Sequence, residues 1–221
     1  MRVSPPPALR ASIMRDLRPV RPLAAPWARA LVVVPCAAAA LWFVPWRFGV
    51  REDSAALGPW LSWGVSLAEA ALGVLLAGMA MREAVPGRAF ATRTVLLTLV
   101  GAFGLVLAVT LLTYAVSPTF AQARYVVLFF RLCFRDAFLA GLPVVVVASG
   151  LVARAWPMRP AAAGALYGAG GGLIGDASWR IFCEVSDPRH VLLAHGLAVV
   201  ALTLVGCVAA CGTEWVRARR R

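Results

Sequence analysis

The sequence contains no lysine: all 22 basic side chains are arginine, set against ten acidic ones. Charge of either sign is scarce, at 14% of residues compared with roughly 25% in soluble domains. Apolar residues make up 61% and the mean hydropathy is +0.79, a balance that excludes a soluble globular fold. A pI near 11.2 invites a nucleic-acid reading, but a reader of DNA or RNA gathers its basic residues on one folded face. Here they are scattered between apolar runs, so no direct nucleic-acid partner is expected. Catalysis is not expected either, because no nucleophile and base stand at a usable spacing and no long segment is left for a soluble catalytic domain. "GGGLIG" at 170–175 has the letters of a dinucleotide fingerprint but lacks the preceding strand and soluble helix start which that motif needs, so no cofactor is expected. No internal repeat is visible.

What the chain does have is six apolar runs, near 30–48, 57–81, 94–116, 132–153, 160–182 and 188–211. Each can cross a hydrocarbon core, which takes about 20 helical residues. The expected architecture is an all-α polytopic membrane protein: a six-transmembrane-helix bundle over 30–211, a tail over 1–29 and a basic carboxyl-terminal tail over 212–221. The first run lies too far from the start, behind too many arginines and prolines, to be a removed signal peptide. Turn chemistry marks the connectors at Val85-Pro86-Gly87, Ser117-Pro118 and Trp156-Pro157, and Asp187-Pro188 has the form of a helix cap followed by proline at the first helical position. Trp42, Trp46, Trp60, Trp63, Trp156, Trp179 and Trp215 fall toward span ends, where an indole is favoured at headgroup level.

Six spans place both termini on one side. That side carries 15 arginines and the other seven. Arginine-rich connectors stay cytoplasmic, so the tail and carboxyl terminus are expected in the cytoplasm. The tail has two readings. Its arginines can hold the first helix by contact with the anionic lipid bilayer, at about 1 kcal/mol each. Alternatively, Asp16 to Trp27 is a docking peptide: Pro19, Pro22 and Pro26 bias the residues before them toward extended backbone, which lowers the entropy lost on binding.

"DLRPVRPL" at 16–23 before the first span, "VPGR" at 85–88, Cys133 with Asp136 three residues on, and Cys183 followed by "HVLLAH" at 190–195 together resemble the NrsF family, the negative regulators of sigma F. The resemblance runs from about residue 11 to 211 and keeps motif order and spacing. It implies a six-span anti-sigma factor whose cytoplasmic segment holds an extracytoplasmic-function sigma factor until the outer side senses stress. Carried over residue by residue, Asp16, Leu17, Arg18, Pro19, Val20, Arg21 and Pro22 belong to the sigma-binding segment, and Cys133 and Cys183 are the sensing thiols. This chain departs from the family in having Asp136 where the motif carries glutamate.

Cys36, Cys207 and Cys211 lie within spans and read as small apolar packing residues. Cys133 and Cys183 fall at the start of span four and the end of span five, near the outer boundary, on two runs expected to be neighbours. They are the candidate redox pair, with Arg131, Arg135 and Arg180 close enough in sequence to stabilise a thiolate; the alternative is packing at helix ends. A metal site is the rival chemistry, with Cys133, Cys183, Glu184, Asp187, His190 and His195 as ligand types. Against it, His190 and His195 are five apart, about 140° around an α-helix, so they remain weak candidates and no metal is expected.

Gly164, Gly168 and Gly172 form a small-residue stripe suited to close helix packing. Asp176 and Arg180 follow at the same period and are expected to neutralise each other. Glu69 is the deepest ionisable residue, costly there unless it is paired, protonated or facing a cavity. A small transporter or metal exporter is the alternative function, but it requires several polar groups at midplane depth, and Glu69 alone is clearly there.

Overall fold

The computed structural model describes residues 6–16, 22–120 and 126–220, and every regular element among them is helical. Leu17, Arg18, Pro19, Val20 and Arg21 lie outside the described residues.

The tail holds an element that the proline pattern did not predict. Pro7–Asp16 (α1) is a ten-residue helix with no buried residue, built from the good helix formers Ala, Leu, Met and Arg. The first span also begins earlier than residue 30. Ala25 takes the extended backbone (φ −52°, ψ 144°) that a following proline imposes, and Pro26 occupies the first turn of Pro26–Phe48 (α2). Within α2 the segment Leu31–Val33 tightens to a 3₁₀ turn. Pro35 has no N–H to offer the Leu31 carbonyl, and the Val34 N–H bonds that carbonyl instead.

Five further helices follow. Ser54–Glu83 (α3) is kinked at Gly58 (φ 69°) before Pro59 and contains a π-helical turn at Trp60–Gly64. Thr92–Val116 (α4), Val126–Ala153 (α5) and Pro160–Arg180 (α6) come next, then Pro188–Arg219 (α7) with a second π turn at Leu192–Gly196. All but α6 among α2 to α7 are long and apolar enough to span a membrane by composition. Helix α6 has 21 residues, roughly 31 Å of helix, and its hydropathy is diluted by glycine and by Asp176 and Arg180.

That dilution reflects its position. Every residue from Leu166 to Arg180 is buried, and α6 packs against α3, α5 and α7 at once. The stripe foreseen in the sequence meets α7: a Cβ on Gly164, Gly168 or Gly172 would lie 2.4–2.7 Å from Gly206, Leu202 or Val199. Two more faces carry glycine for the same reason. Gly170 meets Gly73 of α3, and Gly171 and Gly175 meet α5 at Val145, Gly141 and Ala137. Three helices therefore approach α6 to backbone contact, and side-chain packing is gained where no hydrophobic drive exists between helices in lipid. Gly175→Ala is expected to cost about 1–3 kcal/mol by overpacking, since its Cβ would sit 2.2 Å from the Ala137 carbonyl oxygen. Gly101→Ala, at a position with open space around it, is the neutral comparison; melting of both variants in detergent checks the difference.

The connectors sort into two ends. Residues 49–53, 117–120 and 181–187 meet at one end through hydrogen bonds among Arg51, Asp53, Ser117, Thr119, Glu184 and Ser186. The connectors after α3 and α5 meet at the other, where Glu83 accepts from the Phe90 N–H and pairs with Arg159. Six of the seven tryptophans placed toward span ends are exposed or partly so, as lipid-facing indoles would be. Trp179 is the exception: it is buried between Phe48 and Phe182, with ring centroids 5.1 and 5.0 Å away.

Candidate functional site

Under the first of these connector clusters, Cys133 of α5 and Cys183, just beyond α6, are 4% and 6% exposed. Their sulfurs are 3.7 Å apart and both thiols are free. Helix α6 ends in a turn where the Phe182 and Cys183 N–H groups both donate to the Trp179 carbonyl, which fixes Cys183 over the end of the helix. Burial and the Cys133 sulfur matter here: contact with Cys133 first, then desolvation, push the Cys183 thiol above its ordinary value.

The two histidines correct the angular argument made from sequence. In a regular α-helix residues five apart diverge, but the π turn at Leu192–Gly196 inserts one extra residue. A five-residue spacing then takes on the geometry that four residues have elsewhere. The His190 and His195 rings lie face by edge with centroids 5.9 Å apart. His190 Nε2 is 3.7 Å from the Cys183 sulfur, and one ligand atom from each of Cys133, Cys183, His190 and His195 falls within 4.8 Å of all the others.

Behind this cluster runs a buried ionic chain. His195 Nδ1 is 2.7 Å from Asp176 Oδ1, and the other Asp176 oxygen accepts from Arg180 at 2.7 Å. Arg180 Nε then faces Glu69 Oε2 of α3 at 3.7 Å. Glu69 and Asp176 have no solvent exposure, and among the described residues neither Glu69 oxygen nor His195 Nε2 has a hydrogen-bond partner. The i, i+4 pairing of Asp176 with Arg180 was legible in the sequence. The reach of Asp176 to His195, 19 residues on, and of Arg180 to Glu69 was not.

Other predicted participants are used elsewhere. Asp136 pairs with its neighbour Arg135 at 2.7 Å, and Arg180 is taken by the two carboxylates. Glu184 accepts from the Glu52 N–H, and Asp187 caps α7 by accepting from the Arg189 N–H. In the connector cluster, burial raises the Asp53 carboxyl, but hydrogen bonds from Arg51 and Ser117 with the Arg51 charge outweigh it and hold it below the usual carboxylate range. Cys36 and Cys207 are partly buried, whereas Cys211 is exposed on the bundle surface rather than packed.

At the opposite end the root of the tail is docked. The Trp27 ring covers Gly78 of α3, where a Cβ would lie 2.5 Å from it. Buried Arg29 donates to the Leu151 carbonyl of α5 at 2.6 Å and reaches Met81 of α3. Of the sequence-predicted tail residues, Asp16 ends α1 and Pro22 is exposed.

These features define a multi-pass helical membrane protein built around a sequestered thiol–imidazole cluster, with an arginine-rich tail rooted at the far end of the bundle. The chain belongs to the NrsF family: residues 13–217 match the family described as Negative regulator of sigma F. No curated protein and no solved structure matches it. The family is one of regulators, so a sigma factor is the partner its name implies.

Proposed function

We propose that this protein is a membrane-embedded anti-sigma factor of the bacterial inner membrane, with both termini cytoplasmic. Its segment Asp16 to Pro22 sequesters an extracytoplasmic-function sigma factor and releases it when Cys133 and Cys183, on the periplasmic side, meet oxidant or heavy-metal stress. The observation that carries this reading is the contact of the two cysteine sulfurs at 3.7 Å in a chain of this family.

Helix α3 is the element through which the two ends would communicate. It carries Glu69, against Arg180 and so against the cysteine cluster, and twelve residues further on it carries Met81, beside Arg29. That is about 18 Å along one helix. A shift of Cys183 is passed through His195, Asp176 and Arg180 to α3, and a shift of α3 moves the seat of Trp27. Coupling of this kind requires two discrete packings of the bundle that both sites bias.

The test is a sigma-dependent reporter in cells. Cys133→Ser and Cys183→Ser are each expected to leave the reporter off when oxidant or heavy metal is added, against full induction in the unaltered protein. Normal induction in both variants would remove the cysteines from the mechanism. The exporter reading has less support, since Glu69 is fully buried beside Arg180 rather than facing an open path.

A further inference from the structure

We propose that Cys133, Cys183, His190 and His195 form a binding site for one thiophilic divalent d¹⁰ cation, Zn²⁺ or Cd²⁺, with Asp176 as the group that orients His195. The consequence for the sigma factor rests on the function proposed above; the site itself rests on geometry.

The distances are the first argument. Bonds of about 2.3 Å to sulfur and about 2.0–2.1 Å to nitrogen at the tetrahedral angle separate two sulfurs by roughly 3.8 Å and a sulfur from a nitrogen by roughly 3.6 Å. The structure has 3.7 Å for Cys133 to Cys183 and 3.7 Å for Cys183 to His190. A disulfide requires about 2.05 Å between sulfurs. The remaining pairs, all within 4.8 Å, need to close by at most about 1.5 Å to reach bonding geometry.

The second argument is the orientation of His195. Its Nδ1 is engaged by Asp176 at 2.7 Å, which leaves Nε2 buried and, among the described residues, without a hydrogen-bond partner. A carboxylate on one ring nitrogen with the other nitrogen free is the arrangement that orients metal-ligating histidines. An unpartnered buried polar atom otherwise costs about 1–3 kcal/mol. A cavity of about 10 Å³ touching Cys183, His195, Arg51 and Arg180 adjoins the cluster, about the room of one water molecule.

Charge selects the ion. Binding replaces the protons on the two thiols, and that on His195 Nε2 when the ring is charged, with bonds to the metal, and the protons are released to solvent. Two thiolates, two neutral imidazoles and a divalent cation sum to zero, which suits a buried site, whereas a monovalent ion leaves a net negative charge there. Thiolate and imidazole donors in a tetrahedral set favour Zn²⁺-like ions over Mg²⁺ or Ca²⁺. The same chemistry gives a trigger: drawing four ligands from α5, the end of α6 and α7 onto one ion pulls on Asp176 and on the chain that leads to α3.

The experiment uses the full-length protein in detergent, reduced, with Cys36, Cys207 and Cys211 changed to serine so that only the proposed thiols remain. One Cd²⁺ or Zn²⁺ per chain is expected by elemental analysis, with an ultraviolet thiolate-to-cadmium charge-transfer band. His190→Gln and His195→Gln should each weaken binding at least tenfold, and Asp176→Asn by about 10–100-fold. Folding of each variant is followed by circular dichroism and gel filtration. A folded protein that binds neither ion, one that binds Cu⁺ alone, or unchanged affinity in both folded histidine variants overturns the site. Binding as expected but with no release of a captured sigma factor leaves the site standing and refutes its regulatory role.

Discussion

Arg18→Ala together with Arg21→Ala is expected to abolish capture of the sigma factor while leaving the membrane-inserted protein intact, so that the sigma-dependent reporter becomes constitutive. The physical basis is the guanidinium fork. An arginine pair on a stiff peptide can bond carboxylates of an acidic helical surface bidentately, which lysine cannot do. At about 1.5–3 kcal/mol for a hydrogen bond to a charged group, losing both arginines lowers affinity by roughly 10²–10⁴-fold. The lysine double variant separates the docking peptide from a lipid anchor. Lipid attraction counts charges and would survive the exchange, whereas bidentate docking is weakened by it. Co-purification of the sigma factor with the alanine pair at the unaltered level would defeat the assignment.

The second large effect is expected at Arg180. Its guanidinium is shared by Asp176, at 2.7 Å, and Glu69, at 3.7 Å, and all three are buried in the bundle. Removing one partner of a buried ionic group leaves uncompensated charge at a cost of about 3–5 kcal/mol. Arg180→Gln should therefore lower the melting temperature in detergent by on the order of 10 °C. Adding Glu69→Gln removes the carboxylate that then has no counter-ion, and is expected to recover a good part of the loss. A double variant no more stable than the single one would mean that Glu69 does not depend on Arg180, and the path from the cysteine cluster to α3 would lose its middle link.

Much of this protein is legible one residue at a time, because lipid imposes a local rule: a span must satisfy its own backbone and be apolar over a set length. The runs at 94–116 and 132–153 accordingly correspond to α4 and α5. Local chemistry also accounts for the Asp187 cap and the Asp176–Arg180 pair. The errors are local as well. The proline-based reading of the tail overlooked the helix-forming run Pro7–Asp16, and the start of the first span at Pro26 was set by Pro26 rather than by hydropathy. Helix α6 shows where pattern reading stops. One glycine stripe was visible, yet three faces carry glycine, and which neighbour each face meets depends on how the helices are arranged around it.

The cysteine cluster divides in the same way. Composition and motif order alone determined a helical membrane protein and singled out two of five cysteines, which the structure places together under one cluster of connectors. Only the tertiary structure decided that the histidines belong with those cysteines. A single extra residue in a π turn shifts His195 by about 100° around the helix, and a carboxylate 19 residues away fixes its ring. Hydropathy acts through the solvent and is written along the chain, whereas ligand geometry depends on backbone register and on contacts between helices, which no local pattern carries.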